Sequence, residues 1–191
     1  MRILIDEERL QARISEMALE IDSYYQSQAW YRQTQEPVVV IGVLTGALFF
    51  MADLVRQLSI RTELDFIRAS TYPGESVIAL EPKMICPPTK NLHDAHILVI
   101  EDILDTGKTL DMIHTHLAWS YPESIKTAVL LRKPGKAPVD VVANFIGFDI
   151  PDKFVVGMGL DYDNRHREMP YVAVWSRDER KRSQSKVKQY Q

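Results

Sequence analysis

The chain has 191 residues, 46% of them hydrophobic and 26% charged, with a formal charge of −3. That length suits a single domain with an ample core, and the charge gives no reason to expect a polyanionic partner across the surface. A lone cysteine, Cys86, excludes an internal disulfide and suits a reducing compartment. Met1–Ile5 reaches Asp6–Glu8 before a signal-type apolar core forms, and no run of about 18 apolar residues is present. A cytoplasmic protein with no membrane partner is expected.

Leu10, Ile14, Met17, Ala18 and Ile21 recur at helical spacing and predict an amphipathic helix from Asp6 to about Trp30, with a break near Tyr24–Tyr25. Pro37 introduces Val38–Leu44, a continuous apolar run of the kind that forms a strand buried on both faces. The turn Thr45–Gly46–Ala47 leads to a helix carrying Leu48, Phe49, Met51, Leu54, Val55 and Leu58. A second strand is predicted over Thr62–Ile67.

Residues 70–93 contain Pro73–Gly74, Pro82, Pro87–Pro88 and Asn91 and show little periodicity. They read as a long flexible loop, with a hairpin around Val77–Leu80. Ile97–Ile100 is strand-like and runs into Glu101–Asp102, then Asp105–Thr106–Gly107–Lys108–Thr109, then the helical spacing of Leu110, Ile113 and Leu117. Further strands are predicted at Ile125–Leu131, Val141–Phe148, Phe154–Val156 and Tyr171–Trp175. Residues 177–191 are polar and basic and read as a solvated tail.

Strands alternating with helices predict one α/β domain over 1–191, built on a Rossmann-like central parallel sheet flanked by helices. A small hood would form from early and late segments. Ligands should bind where the strands end.

The stretch around Glu101–Asp102 carries most of the chemistry. Carboxylates accept hydrogen bonds from ribose hydroxyls, and the turn and helix start behind them present several N–H groups to one phosphate. Only Gly107 stands before Lys108–Thr109, so the second glycine of a Walker A loop is missing. By itself Asp–Thr–Gly–Lys–Thr also fits a βα turn whose acids cap the next helix. The acidic pair on the preceding strand end favours the sugar-phosphate reading. His114 and His116 lie two apart on the helix and make a poor metal pair. His93, His96 and His166 lack a ligand pattern, and Cys86 reads as a bland thiol.

Hydrophobic residues followed by Glu101–Asp102 and Asp105–Thr109 resemble the phosphoribosyl-diphosphate signature of type I phosphoribosyltransferases. Gly147–Phe148–Asp149–Ile150–Pro151–Asp152–Lys153–Phe154–Val155–Val156–Gly157, continuing to Asp161–Tyr162, Arg165, Arg167 and Pro170–Tyr171, closely resembles the C-terminal motif of the hypoxanthine–guanine branch. With the Asp65–Arg68 strand the resemblance spans roughly Val38 to Trp175. Met158 replaces an aromatic residue common there, and Asp163–Asn164 is a further variation.

The resemblance implies purine salvage: phosphoribosyl diphosphate plus hypoxanthine or guanine giving IMP or GMP and pyrophosphate, with Mg²⁺ as cofactor. By position, Asp105 would be the acid/base group at purine N7. Glu101 and Asp102 would bind the ribose hydroxyls and, with Asp161, the metal. Thr106, Gly107, Lys108 and Thr109 would cradle the 5-phosphate. Thr45, Gly46 and Arg167 would meet the pyrophosphate. Lys133 would donate to the 6-oxo oxygen, Phe154 would stack on the purine, Val155 would offer backbone groups to its edge, and Asp161 would lie near its two-position. Thr71 and Tyr72 would belong to the closing loop. Thr45 stands where relatives often carry lysine, and the family commonly has a non-proline cis peptide at this turn, placed here at Leu44–Thr45. A homodimer or homotetramer is implied, and nucleic acid is not an expected partner. Two other readings remain: a regulator of the same fold that senses phosphoribosyl diphosphate, and an enzyme preferring xanthine.

Overall fold

The computed structural model describes residues 1–70, 82–138 and 140–175. In chain order the elements are β1 (Arg2–Ile5), α1 (Glu7–Ser27), α2 (Ala29–Thr34), β2 (Val38–Leu44), α3 (Leu48–Val55), β3 (Thr62–Ser70), β4 (Lys83–Cys86), β5 (His96–Leu104), α4 (Lys108–Ala118), β6 (Ser124–Arg132), β7 (Phe145–Asp149), β8 (Val155–Val156) and β9 (Val172–Val174). Among the described residues the main sheet runs β4–β3–β2–β5–β6–β7. β3, β2, β5, β6 and β7 are parallel, and β4 adds an antiparallel edge. A second, antiparallel sheet, β1–β9–β8, joins the two ends of the described chain. This is the hood that early and late segments were expected to form.

The continuous apolar runs of β2 and β5 are explained by a core on each face of the sheet. Val38 and Val40 of β2, with Leu98 and Ile100 of β5, pack into the cluster beneath α1 and α3. Their neighbours Val39, Ile41 and Val43, with Ile97 and Val99, pack into a second cluster with Leu110, Ile113 and Leu117 of α4. The two-residue period of a strand sends alternate side chains into opposite cores, so the stretches 38–43 and 97–100 leave no position for a polar residue.

α1 starts at Asp6, whose carboxylate accepts the Arg9 N–H at 2.9 Å. The helix runs unbroken through Tyr24–Tyr25 to Ser27, where a break had been expected earlier. Both tyrosines stay in helix because they pack: Tyr25 is fully buried, and Tyr24 meets Phe145 edge-on at 5.8 Å. Arg13 fastens the helix to β7, donating to the carbonyls of Gly147 at 3.0 Å and Ile146 at 2.8 Å.

Other boundaries also differ from expectation. β3 continues to Ser70, and part of the 70–93 segment is the strand β4, paired with β3. The carboxylate of Asp65 organises the return. It accepts the backbone N–H groups of Thr89 at 2.7 Å and Lys90 at 2.8 Å. The run 141–148 is strand only from Phe145, since Asn144 turns its side chain to the Thr127 N–H at 2.9 Å. The hairpin expected at Val77–Leu80, Thr71, Tyr72 and the basic tail all lie outside the described residues.

Candidate active site

β2, β5 and β6 point the same way, and their carboxyl ends open together, with Leu104 opposite Arg132 in the register. In an open parallel sheet this edge is where loops leave for the helices and ligands gain access to backbone amides. A cleft of about 290 Å³ lies there. Thr45 and Gly46 after β2, Glu101, Asp102, Asp105, Thr106, Gly107 and Thr109 around the end of β5, and Asp161 and Arg167 from the segment before β9 all line it. Ten positions singled out from sequence therefore share one cavity. The Leu44–Thr45 peptide is cis, as the resemblance implied.

The floor of the cleft is packed tightly. A methyl group at Gly46 would fall on the Asp102 carboxylate, and one at Gly159 would fall on the Gly46 carbonyl oxygen. The Gly46 turn is thus held between an acid and the backbone of the 157–169 segment, with no space for a side chain at either glycine. Gly159 also has φ +96°, a backbone conformation that residues with a Cβ rarely adopt.

Glu101 is buried at 6% exposure, and its Oε1 accepts the Asp102 N–H at 3.1 Å. Its Oε2 is buried with no partner among the described residues. Burial, and then the adjacent Asp102 charge, hold the Glu101 carboxyl well above the usual range. Burial raises Asp102 as well, against the opposing influence of Glu101, the Ile103 amide and Arg167. Two desolvated acids side by side, one with an unused oxygen, carry more negative charge than Arg167 alone offsets. The donor set therefore fits a divalent cation, and no cluster of three acids, histidines or cysteines able to enclose one exists among the described residues. One or two carboxylates are enough for a cation that completes its shell with water and substrate oxygens.

α4 begins at Lys108, so the amides of its first turn have no acceptor within the helix. Thr106, Gly107 and Thr109 bring that end of the helix to the cleft. Arg167 stands opposite. It donates to the Gly159 carbonyl at 2.6 Å and pairs with Asp161 at 2.8 Å. Asp161 also accepts the Asn164 N–H at 2.7 Å.

Asp105, which lines the cleft, joins it to a set of ion pairs alongside. Asp105 Oδ2 lies 2.6 Å from Lys133 Nζ and its Oδ1 lies 2.7 Å from Lys136 Nζ. Both lysines also reach Asp152, Lys136 at 2.8 Å and Lys133 at 3.4 Å. Burial would raise the Asp105 carboxyl, but the hydrogen bonds and charges of the two lysines outweigh it and hold it below the usual range. Asp105 is therefore anionic at neutral pH. Sequence reasoning found Asp105 and Lys133 but missed Lys136, assigned Asp152 no role and did not see Gly159 as the wall of the Gly46 turn. Lys136 was signalled only by its place three residues after Lys133 in Lys–Pro–Gly–Lys.

Phe154 and Val155 sit beside this cleft rather than in its lining. Phe154 is 53% exposed and meets Tyr162 edge-on at 6.0 Å, leaving a ring face open. Val155 stands opposite Val174, while Trp175 donates its N–H to the Phe154 carbonyl at 2.9 Å. In an antiparallel ladder hydrogen-bonded pairs alternate with pairs that exchange none, so the Val155 N–H and C=O turn toward the open edge of the hood sheet.

The family model for the phosphoribosyl transferase domain matches residues 12–163. The chain belongs to the phosphoribosyltransferase family. It is 39% identical over 173 residues to the hypoxanthine-guanine phosphoribosyltransferase of Bacillus subtilis, covering 91% of this chain and 92% of that one. It is 36% identical over 170 residues to the hypoxanthine phosphoribosyltransferase of Salmonella typhimurium, covering 89% and 92%. Among solved structures, hypoxanthine phosphoribosyl transferase of Trypanosoma cruzi superposes with a TM-score of 0.86 at 31% identity, over 97% of this chain and 96% of that one. In this member of the family, the cleft at the strand ends is lined by residues from the segments that the sequence signature marked.

Proposed function

We propose that this phosphoribosyltransferase transfers the 5-phosphoribosyl group from phosphoribosyl diphosphate to N9 of hypoxanthine or guanine, releasing IMP or GMP and pyrophosphate. The observation that carries the reading is the Asp105–Lys133 pair, 2.6 Å apart, with Asp105 three residues past the Glu101–Asp102 pair, of which Glu101 is buried. An anion and a cation side by side match a base that offers an N–H at N7 and an oxygen at C6. Adenine would present an amino group to Lys133, which has no acceptor to offer it. Arg167 and the Gly46 turn are positioned by this reading for the pyrophosphate, and Thr106–Thr109 for the 5-phosphate.

In this mechanism the C1–oxygen bond to pyrophosphate breaks as N9 bonds to C1, and the N7 proton passes to the Asp105 carboxylate. Arg167 and backbone amides stabilise the charge gathering on the leaving group. Phe154 offers its exposed face to the purine ring, and the Val155 backbone offers a donor and an acceptor to its edge. Glu101 and Asp102 would hold Mg²⁺, with Asp161 nearby. When bound, Mg²⁺ supplies the charge that two desolvated carboxylates and a polyphosphate both require.

We assign the protein to the cytoplasm as a homo-oligomer. No helix among the described residues is long and apolar enough to cross a membrane. Leu48 and Phe49 of α3 and Leu64 and Phe66 of β3 are exposed apolar side chains on adjoining elements, where a second copy would seat. The decisive experiment incubates purified protein, Mg²⁺ and phosphoribosyl diphosphate with hypoxanthine, guanine, xanthine or adenine. IMP and GMP are the expected products. Nucleotide only from xanthine would move the assignment to that base, and nucleotide from none, with phosphoribosyl diphosphate still bound, would favour the sensing protein.

A further inference from the structure

The base side of the cleft contains a second lysine that the proposed reaction does not yet use. Lys133 Nζ has three donors but one position: it lies 2.6 Å from Asp105 and 3.4 Å from Asp152, and the reading above adds a 6-oxo oxygen that draws it away from the carboxylate. Whenever Lys133 turns toward the purine, its hold on Asp105 weakens. Asp105 then needs another cation, or its carboxylate loses both its aim and its stabilisation. Lys136 already stands 2.7 Å from the other oxygen, and Asp152 fixes Lys136 from behind at 2.8 Å. Lys133 is buried at 7% exposure, whereas Lys136 is more open to solvent, so the two lysines suit different tasks.

We propose that Lys136 is a positioning residue of the transfer: anchored by Asp152, it holds Asp105 toward purine N7 while Lys133 is engaged by the 6-oxo oxygen. The inference rests on the proposed reaction. It also explains the bidentate arrangement, in which each oxygen of one carboxylate has its own ammonium partner. A single lysine would neutralise Asp105 in the empty site but would abandon it on substrate binding. Charged groups that face Asp105 from neighbouring elements are Lys133, Lys136 and Asp152 at the base side, and Glu101, Asp102, Asp161 and Arg167 across the cleft.

The test compares Lys136→Met, Lys136→Arg and Asp152→Asn with the unaltered protein. Lys136→Met should lower kcat on the order of tenfold, part of what proton transfer contributes, with KM for phosphoribosyl diphosphate changed less than about twofold. The acid limb of its kcat profile should move up by about one pH unit, because Asp105 keeps its proton to higher pH once a cation is removed. Lys136→Arg should recover most of the loss, and Asp152→Asn should show the same changes more weakly. A carboxyl carbon NMR titration of Asp105, its resonance identified by absence in Asp105→Asn, should shift in the same direction and does not depend on turnover.

Wild-type kcat, acid limb and Asp105 titration in Lys136→Met would overturn the proposal. So would equal damage in Met and Arg variants. Absence of nucleotide formation by the unaltered protein would instead reject the reaction, leaving the titration to decide whether Lys136 governs Asp105.

Discussion

The two sides of the cleft are built on opposite principles. At the floor, Gly46, Gly159, Glu101 and Asp102 are fixed by close approach, and the acids are desolvated with an oxygen left unused. On the other side, Asp105, Lys133, Lys136 and Asp152 neutralise one another through four ion pairs of 2.6–3.4 Å. The floor needs a ligand to complete it, whereas the base side must release contacts to receive one. In the proposed reaction, steric fit would therefore govern where the sugar and phosphates lie, and exchange of charge partners would govern recognition of the base.

The largest break in that comparison is Asp105→Asn. It keeps the shape of the base side but removes its proton acceptor, so kcat should fall on the order of a thousandfold. KM for phosphoribosyl diphosphate should move little, because that substrate is held at the floor. Initial-rate kinetics with both substrates varied decide the point, and near-normal turnover would remove Asp105 from the proton transfer.

Gly159→Ala attacks the other side by geometry alone. Its methyl group would meet the Gly46 carbonyl, and the backbone at φ +96° resists any side chain. A stability loss of about 2–4 kcal/mol is expected, with activity down on the order of a hundredfold as the Gly46 turn is displaced. Denaturant unfolding alongside kinetics would expose the contrary case, a variant with unchanged stability and KM.

How much of this was readable beforehand depends on whether the cause is local. Glu101–Asp102 and Asp105–Thr109 lie within one nine-residue run, so this part of the cleft was visible as a motif. The alternating two-sided core was visible in the apolar runs of β2 and β5. β1 was missed because four residues with no distinctive period become a strand only by pairing with Val172–Val174. β4 was missed because Pro82 and Pro87–Pro88 flank its four residues and suggest a loop, and its order comes from β3 beside it. Lys136 was hidden for the same reason. Its meaning depends on Asp152 arriving from the loop after β7, a contact that no spacing announces.

The comparison also predicts opposite pH behaviour. Glu101 has its folded pKa raised by burial and the Asp102 charge, so its ionisation favours the unfolded chain. Stability from this group falls as pH rises from the unfolded value, about 4.3, toward the higher folded one. Glu101→Gln should therefore melt at a higher temperature than the unaltered protein at neutral pH, with the gain vanishing below about pH 4. Asp105 is held below its unfolded value of about 3.9 despite burial, by Lys133 and Lys136. Its stabilisation is present above that value and lost as pH falls through the folded pKa. Asp105→Asn should accordingly melt lower at neutral pH and converge with the unaltered protein in strong acid. Melting curves across pH that moved in the same direction for both variants would contradict the division of the cleft.

The smallest expected effect concerns Thr45, which lines the floor but is exposed, unlike the glycine beside it. Thr45→Lys adds a cation where the tight packing does not forbid one. The leaving pyrophosphate already has Arg167 and backbone donors, and a flexible surface ammonium gains little against solvent. KM for phosphoribosyl diphosphate should fall about two- to threefold at low salt, and the gain should fade as ionic strength shortens the reach of the charge. A tenfold or salt-independent improvement would mean that the floor lacks a specific cation rather than general charge. The pyrophosphate would then be recognised as the base is, through an ion pair, and steric fit would no longer separate the two sides.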